Sequence, residues 1–208
     1  MAPKLSLVIP TYNEALNIAK LCQKIINVLE RMALDFEIII VDDDSPDGTW
    51  RIADELAKQD LRIKLIRRMC ARGLGSAVVR GWAVSRGEIL GVIDADLQHP
   101  PEILEEMMSQ VINHQEIDIV VASRYVSGGG VLDKRFLQIL KSQSAIFLGR
   151  IFMPKIFKLV KDPLSGYFIL RRKVIAARHL GQWVIRFYWR SWLGAVTEKF
   201  ARCPLSLL

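Results

Sequence analysis

Two aspartates one residue apart, Asp94 and Asp96, with Gln98 two positions further on, are the residues of this sequence best suited to chemistry. Their carboxylates and the Gln98 amide oxygen are hard oxygen donors, the kind that hold Mg²⁺ or Mn²⁺. Such a cation keeps few protein carboxylates and completes its shell with phosphate oxygens of a substrate. Held there, it would bridge a diphosphate and neutralise charge building on a leaving group. An Asp-x-Asp pair also has the composition of a solvated acidic turn. Its placement after the apolar run at 89–93 and before His99-Pro100-Pro101 favours the metal site.

A second acidic cluster, Asp42-Asp43-Asp44-Ser45-Pro46-Asp47-Gly48, directly follows the run FEIIIV. Asp42 is placed to accept hydrogen bonds from a base or ribose, as carboxylates at strand ends do in nucleotide sites. Asp47-Gly48 reads as turn chemistry. In Pro10-Thr11-Tyr12-Asn13-Glu14, Thr11 or Asn13 could cap a following helix. The functional reading of the same stretch has Tyr12 stacking on a base and Glu14 bonding to the nucleotide.

The elements that must position these residues alternate. Apolar runs predict buried strands at 5–9 (ended by Pro10), 36–41, 63–67, 89–93 and 117–122. Helical periodicity or helix-start signals predict helices at 14–31, 49–58, 74–85 and 102–113, the last opened by Pro100-Pro101. Alternating strands and helices imply an α/β fold: a doubly wound, mainly parallel sheet flanked by helices. Ligands on such sheets bind beyond the carboxyl ends of the strands. The loops at 10–14, 42–47 and 94–99 therefore belong on one rim.

The 208 residues fit one domain, with 51% hydrophobic residues and a formal net charge of +7. The basic excess suits an anionic partner. Nucleic acid would explain the charge but not the acidic rim, and it is set aside. Cys22, Cys70 and Cys203 have no metal-site or disulfide spacing, so a reducing, cytoplasmic location is expected. The N-terminal stretch does not read as a signal peptide, and no stretch reaches the roughly 18 apolar residues of a spanning helix. The basic amphipathic stretch at 136–160 is compatible with a helix pair in the membrane interface or with ordinary packing.

In order along the chain stand VIPTYNE, VDDDSPDGTW, GLGSAVVRG, DADLQHPPE, ASRYVSGGG and KDPLSGYF. This series resembles the dolichyl/polyprenyl-phosphate mannose synthases, inverting glycosyltransferases of the GT-A fold. The resemblance implies a catalytic domain over 1–180. It implies that Pro10, Tyr12, Glu14, Ile40 and Asp42 contact the nucleoside, and that Asp94, Asp96 and Gln98 hold Mg²⁺ or Mn²⁺. Arg124 would meet the phosphate of a polyprenyl phosphate lipid, with Arg135 and Ser142 beside it. Gln138 stands where a second phosphate-binding arginine is expected, and Arg135 or Lys141 would substitute. Asp162, Ser165 and Gly166 would border the sugar, along with Lys161, Pro163 and Tyr167.

Asp96 and Arg124 are thus the expected catalytic residues, acting on a nucleotide-sugar donor, GDP-mannose first and UDP-glucose second. The acceptor phosphate is the nucleophile and needs no strong base, which leaves His99 a loop-shaping role. The expected place of work is the cytoplasmic face of a membrane, bound peripherally. After Leu180 the resemblance stops. Residues 181–208 read as an aberrant, out-of-frame tail, since shifted codons can restore a family-like MGYTILLEVL. The competing reading of the whole is a catalytically inactive fragment that still binds nucleotide and metal.

Overall fold

The computed structural model describes residues 3–122 and 166–176. The expectations placed on Arg124, Arg135, Ser142, Asp162, Ser165, the 136–160 stretch and the 181–208 tail lie outside the described residues. Strands β1 (Leu5–Thr11), β2 (Phe36–Asp42), β3 (Ile63–Arg67), β4 (Ile89–Val92), β5 (Ile119–Val121) and β6 (Phe168–Arg171) form one sheet in the order β3-β2-β1-β4-β6-β5. Helices α1 (Ile18–Arg31), α2 (Thr49–Gln59), α3 (Leu74–Val84) and α4 (Ile103–Asn113) connect them, and a short α5 (Lys173–Ala176) follows β6. Pairings β3–β2, β2–β1 and β1–β4 are parallel, whereas β6 is antiparallel to both β4 and β5.

Alternation along the strands builds two cores. Leu5, Leu7 and Ile9 of β1, with Ile38 and Ile40 of β2, pack against Ile18, Leu21 and Ile25 of α1 and Leu104 and Met108 of α4. Val8, Ile39 and Val41 point the other way and meet Ala77, Val78 and Trp82 of α3. The central strands β1, β2 and β4 are buried along their whole length because helices cover both faces, as in parallel sheets.

Three differences from the sequence-based expectations bear on the site. Pro10 does not end β1, which runs on to Thr11 beside Asp42. The β1–β4 pairing ends at Val8–Val92, so beyond it β1 has one neighbouring strand and a proline is tolerated there. Helix α1 begins at Ile18, leaving residues 12–17 as a loop, and neither Thr11 nor Asn13 caps it. Finally, β6 was not anticipated. Because it runs antiparallel, its first residue, Phe168, pairs with the last of β4, Val92, and the preceding Gly166 lands at the rim beside Asp94.

Candidate active site

The chain reverses its winding at β1, with β2 on one side and β4 on the other. Such a switch point opens a crevice at the carboxyl ends of the strands. There the 12–17 loop, the 42–48 loop and the 93–99 loop meet.

Asp42, at the end of β2, is fully buried. Its Oδ2 accepts from the Thr11 hydroxyl (2.9 Å) and the Ser45 hydroxyl (2.6 Å), and its Oδ1 accepts from the Ser45 amide (2.9 Å). A carboxylate offers about four acceptor positions, so one is left for anything else. Expected to face a nucleoside, Asp42 is in this structure first the pin that joins β1 to the following loop. Ile40 and Pro10 are buried, and the Ile40 side chain belongs to the core, so it offers a ligand no side-chain surface. Tyr12 remains 45% exposed, with the Arg72 guanidinium 5.2 Å from its ring centre. That face-on cation steadies the ring by roughly 0.5–1 kcal/mol at an exposed site.

Asp43, which sequence reasoning treated only as part of an acidic turn, makes a buried lock. It accepts from Arg68 Nε (2.6 Å) and from the Gly73 amide (2.7 Å). Arg68 also donates to the Ser76 hydroxyl and the Gly73 carbonyl, fixing the start of α3. Gly73 has φ +122°, a conformation that side-chain-bearing residues rarely adopt. Burial raises the Asp43 carboxyl above its usual range even though Gly73 and Arg68 pull the other way.

The segment 45–49 holds the 12–17 loop through side chains. The Asn13 amide donates to Ser45 Oγ (3.0 Å), the Glu14 amide to Thr49 Oγ1 (2.9 Å) and the Ala15 amide to Asp47 Oδ2 (3.0 Å). Asp47 Oδ1 in turn accepts from the Thr49 amide and hydroxyl, at 3.0 and 2.6 Å. The Glu14 carboxylate accepts from Asn17 Nδ2 at 2.8 Å. Burial raises the Glu14 carboxyl, the Asn17 bond lowers it, and the negative charges of Asp96 and Asp47 raise it again. Loops 82 residues apart in sequence thus place Glu14 within the field of Asp96.

Asp94 is half-buried and Asp96 and Gln98 are exposed, with the Gln98 amide donating to Asp96 Oδ1 at 3.0 Å. A Cβ added at Gly166 would overlap the Asp94 carboxylate, so only glycine permits this approach. His99 is buried, edge-on to Tyr167 with ring centres 5.8 Å apart. The Tyr167 hydroxyl donates to the Pro101 carbonyl at 3.3 Å, and burial pushes its ionisation far up. Both rings shape the loop behind Asp94 and Asp96. Among the described residues no three His, Cys, Asp or Glu side chains form a ready-made metal cage. Asp94, Asp96 and Gln98 fit an open site whose remaining ligands come from the substrate, which is how Mg²⁺ and Mn²⁺ bind phosphates.

Beside this rim lies a pocket of about 430 Å³ whose walls include Asp44, Trp50, Arg67 and Arg72 but neither Asp94 nor Asp96. Arg67 lies 3.6 Å from the centre of the Trp50 ring, and its Nε donates to Asp44 at 2.7 Å.

The model of the glycosyl transferase family 2 matches residues 6–178. The chain belongs to that family. It is 46% identical over 172 residues to a dolichol-phosphate mannosyltransferase of Pyrococcus furiosus, covering 83% of this chain and 47% of that protein. It is 33% identical over 179 residues to the dolichol-phosphate mannosyltransferase of Saccharomyces cerevisiae, covering 84% of this chain and 63% of that one. The chain therefore spans 47% to 63% of the length of these relatives.

Among solved structures, mannosyl-3-phosphoglycerate synthase from Rubrobacter xylanophilus matches with a TM-score of 0.64 at 26% identity, covering 83% of this chain and 54% of that one. A mannosyltransferase from Pyrobaculum calidifontis, solved in complex with GDP-Man and Mn²⁺, matches with a TM-score of 0.53 at 19% identity, covering 87% and 47%. The fold is the GT-A arrangement that the ordered motifs implied, with antiparallel β6 the strand that they did not announce. No helix among the described residues is long and apolar enough to cross a membrane.

Proposed function

We propose that this family 2 chain transfers a sugar, mannose from GDP-mannose first and glucose from UDP-glucose second, to a polyprenyl or dolichyl phosphate. The transfer inverts the anomeric carbon and works with a bound divalent cation. The relatives named dolichol-phosphate mannosyltransferase support the reaction class. The observation that carries the reading is the convergence of Glu14, Asp94 and Asp96 on one rim, with Asp94 closed against Gly166.

Asp94, Asp96 and Gln98 would hold Mg²⁺ or Mn²⁺, and the bound cation supplies neutralisation of the departing diphosphate. Tyr12 and Glu14, on the 12–17 loop over the crevice, would orient the nucleoside. Arg124, Arg135 and Ser142 are assigned to the acceptor phosphate, and Asp162, Ser165 and Gly166 to the sugar. The acceptor phosphate is anionic at neutral pH, so His99 is not needed as a base, in keeping with its burial against Tyr167. Alignment of the two substrates and stabilisation of developing charge then account for the rate. A lipid acceptor requires work at a membrane surface, and we assign a peripheral position on the cytoplasmic face.

The test is a panel of radiolabelled nucleotide sugars offered with a polyprenyl phosphate. Label from GDP-mannose passing into organic-extractable lipid in the presence of Mn²⁺ or Mg²⁺ is the expected result. Transfer to a soluble acceptor alone would replace the lipid assignment, and undiminished transfer by Asp96→Ala would overturn the metal assignment.

A further inference from the structure

The loop that carries Tyr12 and Glu14 has little of its own to hold it in shape. Helix α1 starts only at Ile18, and its N-cap residue Asn17 makes no side-chain capping bond. Asn13 adopts φ +60°, in the left-handed region. A left-handed residue followed by successive amides is the geometry of an anion-binding nest. Here the three amides of Asn13, Glu14 and Ala15 are already given to Ser45, Thr49 and Asp47. A phosphate cannot take them without breaking those bonds.

Thr49 is fully buried and acts in both directions, accepting from the Glu14 amide and donating its hydroxyl to Asp47. Asp47 joins the two ends, with one oxygen on Ala15 and the other on Thr49. The result is a closed relay from Ala15 through Asp47 and Thr49 to Glu14. It ties the loop to the first turn of α2 rather than to the loop's own helix.

We propose that Asp47 and Thr49 are positioning residues for the donor nucleotide: through the amides of Ala15 and Glu14 they set the height and tilt of Tyr12 and Glu14 over the crevice. The proposal rests on the donor role given under Proposed function. It also assigns the donor's diphosphate to the Asp94–Asp96 side of the crevice, because the loop amides are occupied. Burial alone would raise the Asp47 carboxyl, but the bonds from Thr49 and Ala15 more than reverse this, so it stays charged below the usual carboxylate range. Asp47 and Thr49 also serve the start of α2, so a loss of stability on mutation would not by itself support the positioning role.

The experiment compares the full chain with Thr49→Val, Thr49→Ser and Asp47→Asn. It reads amide hydrogen exchange at residues 13–15 and the Kd for GDP and UDP in Mn²⁺. Thr49→Val keeps shape and loses both hydrogen bonds, whereas Thr49→Ser keeps the hydroxyl. Thr49→Val is expected to speed exchange at Glu14 and Ala15 at least tenfold while β1 amides stay protected. It is expected to weaken nucleotide binding about tenfold, the scale of a small misplacement of a binding group. Thr49→Ser should restore both to within about twofold.

Equal Kd values for wild type and a folded Thr49→Val would overturn the proposal, as would a loss that Thr49→Ser shares in full. Should Thr49→Val not fold, Asp47→Asn, which keeps the shape and removes the charge, carries the same comparison. A wild-type chain that binds neither nucleotide would remove the donor reading, and exchange at 13–15 would then decide alone whether the clamp exists.

Discussion

Glu37 and Glu14 stand at opposite ends of the same sheet, and their surroundings differ in kind. Glu37, near the start of β2, is buried and fully answered. One oxygen accepts from the Ser6 hydroxyl and the Arg86 amide, both at 2.6 Å, and the other from Lys64 Nζ at 2.6 Å. Burial pushes its carboxyl up, but Lys64, Ser6 and Arg86 together bring it below its usual value. At the other end Glu14 and Asp43 are both raised, burial being the largest cause and neighbouring carboxylates adding to it. Among the described residues, the bonds around Glu37 outweigh its burial, while at the other end burial and neighbouring carboxylates outweigh the bonds made to Glu14 and Asp43.

The largest effect is expected at Gly166. Gly166→Ala drives a methyl group into the Asp94 carboxylate. Sugar transfer should fall about a hundredfold or more, the penalty expected for displacing a reacting centre by about 1 Å. Thermal stability should change little, because Asp94 is only half-buried. A Gly166→Ala enzyme with normal turnover would detach Asp94 from the chemistry.

At the closed end the effect should be the reverse. Glu37→Ala leaves Ser6 and the Arg86 amide without their partner and should cost about 3 kcal/mol in denaturant unfolding, as other broken buried pairs do. Nucleotide affinity should stay at the wild-type value. A loss of affinity without a loss of stability would erase the distinction between the two ends.

The two glutamates should also titrate with opposite effects on stability. Glu37 has a lowered folded-state pKa, so its contribution is present above the ordinary carboxylate range and is lost as pH falls through its folded value. The stability gap between wild type and Glu37→Gln should therefore narrow below about pH 4. Glu14 has a raised pKa and costs stability above that range. Glu14→Gln should be slightly more stable than wild type at pH 7, by less than about 1 kcal/mol after solvent screening, with the gap closing in acid. Parallel pH curves for the two variants would contradict the account. The smallest effect is expected from Arg72→Ala, which removes the cation from the Tyr12 face. Nucleotide binding should weaken only about two- to fivefold in calorimetry.

The fold was legible wherever one element announced itself locally. The β-branched run of β2 and the apolar run of β3 carry their own signals, and the observed β3 bounds, Ile63–Arg67, match the sequence-based reading. Strand β6 is only four residues long and was hidden behind a motif read for chemistry. The start of α1 was misplaced because Thr11 and Asn13 look like caps, while their real partners, Asp42 and Ser45, lie about 30 residues away in sequence.

The same distance explains the site. Asp94, Asp96 and Gln98 were singled out from type and spacing, and the structure places them in the loop that follows β4. Asp47 looked like turn chemistry and Thr49 like a plain helix start, because nothing local tells which amides a carboxylate and a hydroxyl will accept from. The Asp43–Arg68–Gly73 lock is likewise a property of folded neighbours rather than of any one segment. Cys22 gave no signal of reactivity in the sequence, and it is buried, which pushes its thiol up to about 12.

Under the proposed function, a divalent cation and a diphosphate bind together at the carboxyl end of the sheet, on Asp94 and Asp96. A Mn²⁺ titration of the full chain, with and without GDP, tests it directly in wild type, in Asp94→Asn/Asp96→Asn and in Glu37→Gln. Mn²⁺ should bind wild type weakly alone and at least tenfold more tightly with GDP, the expected pattern for an open site completed by phosphate oxygens. The rim variant should lose that gain and Glu37→Gln should keep it. An unchanged GDP-linked gain in the rim variant would contradict the account.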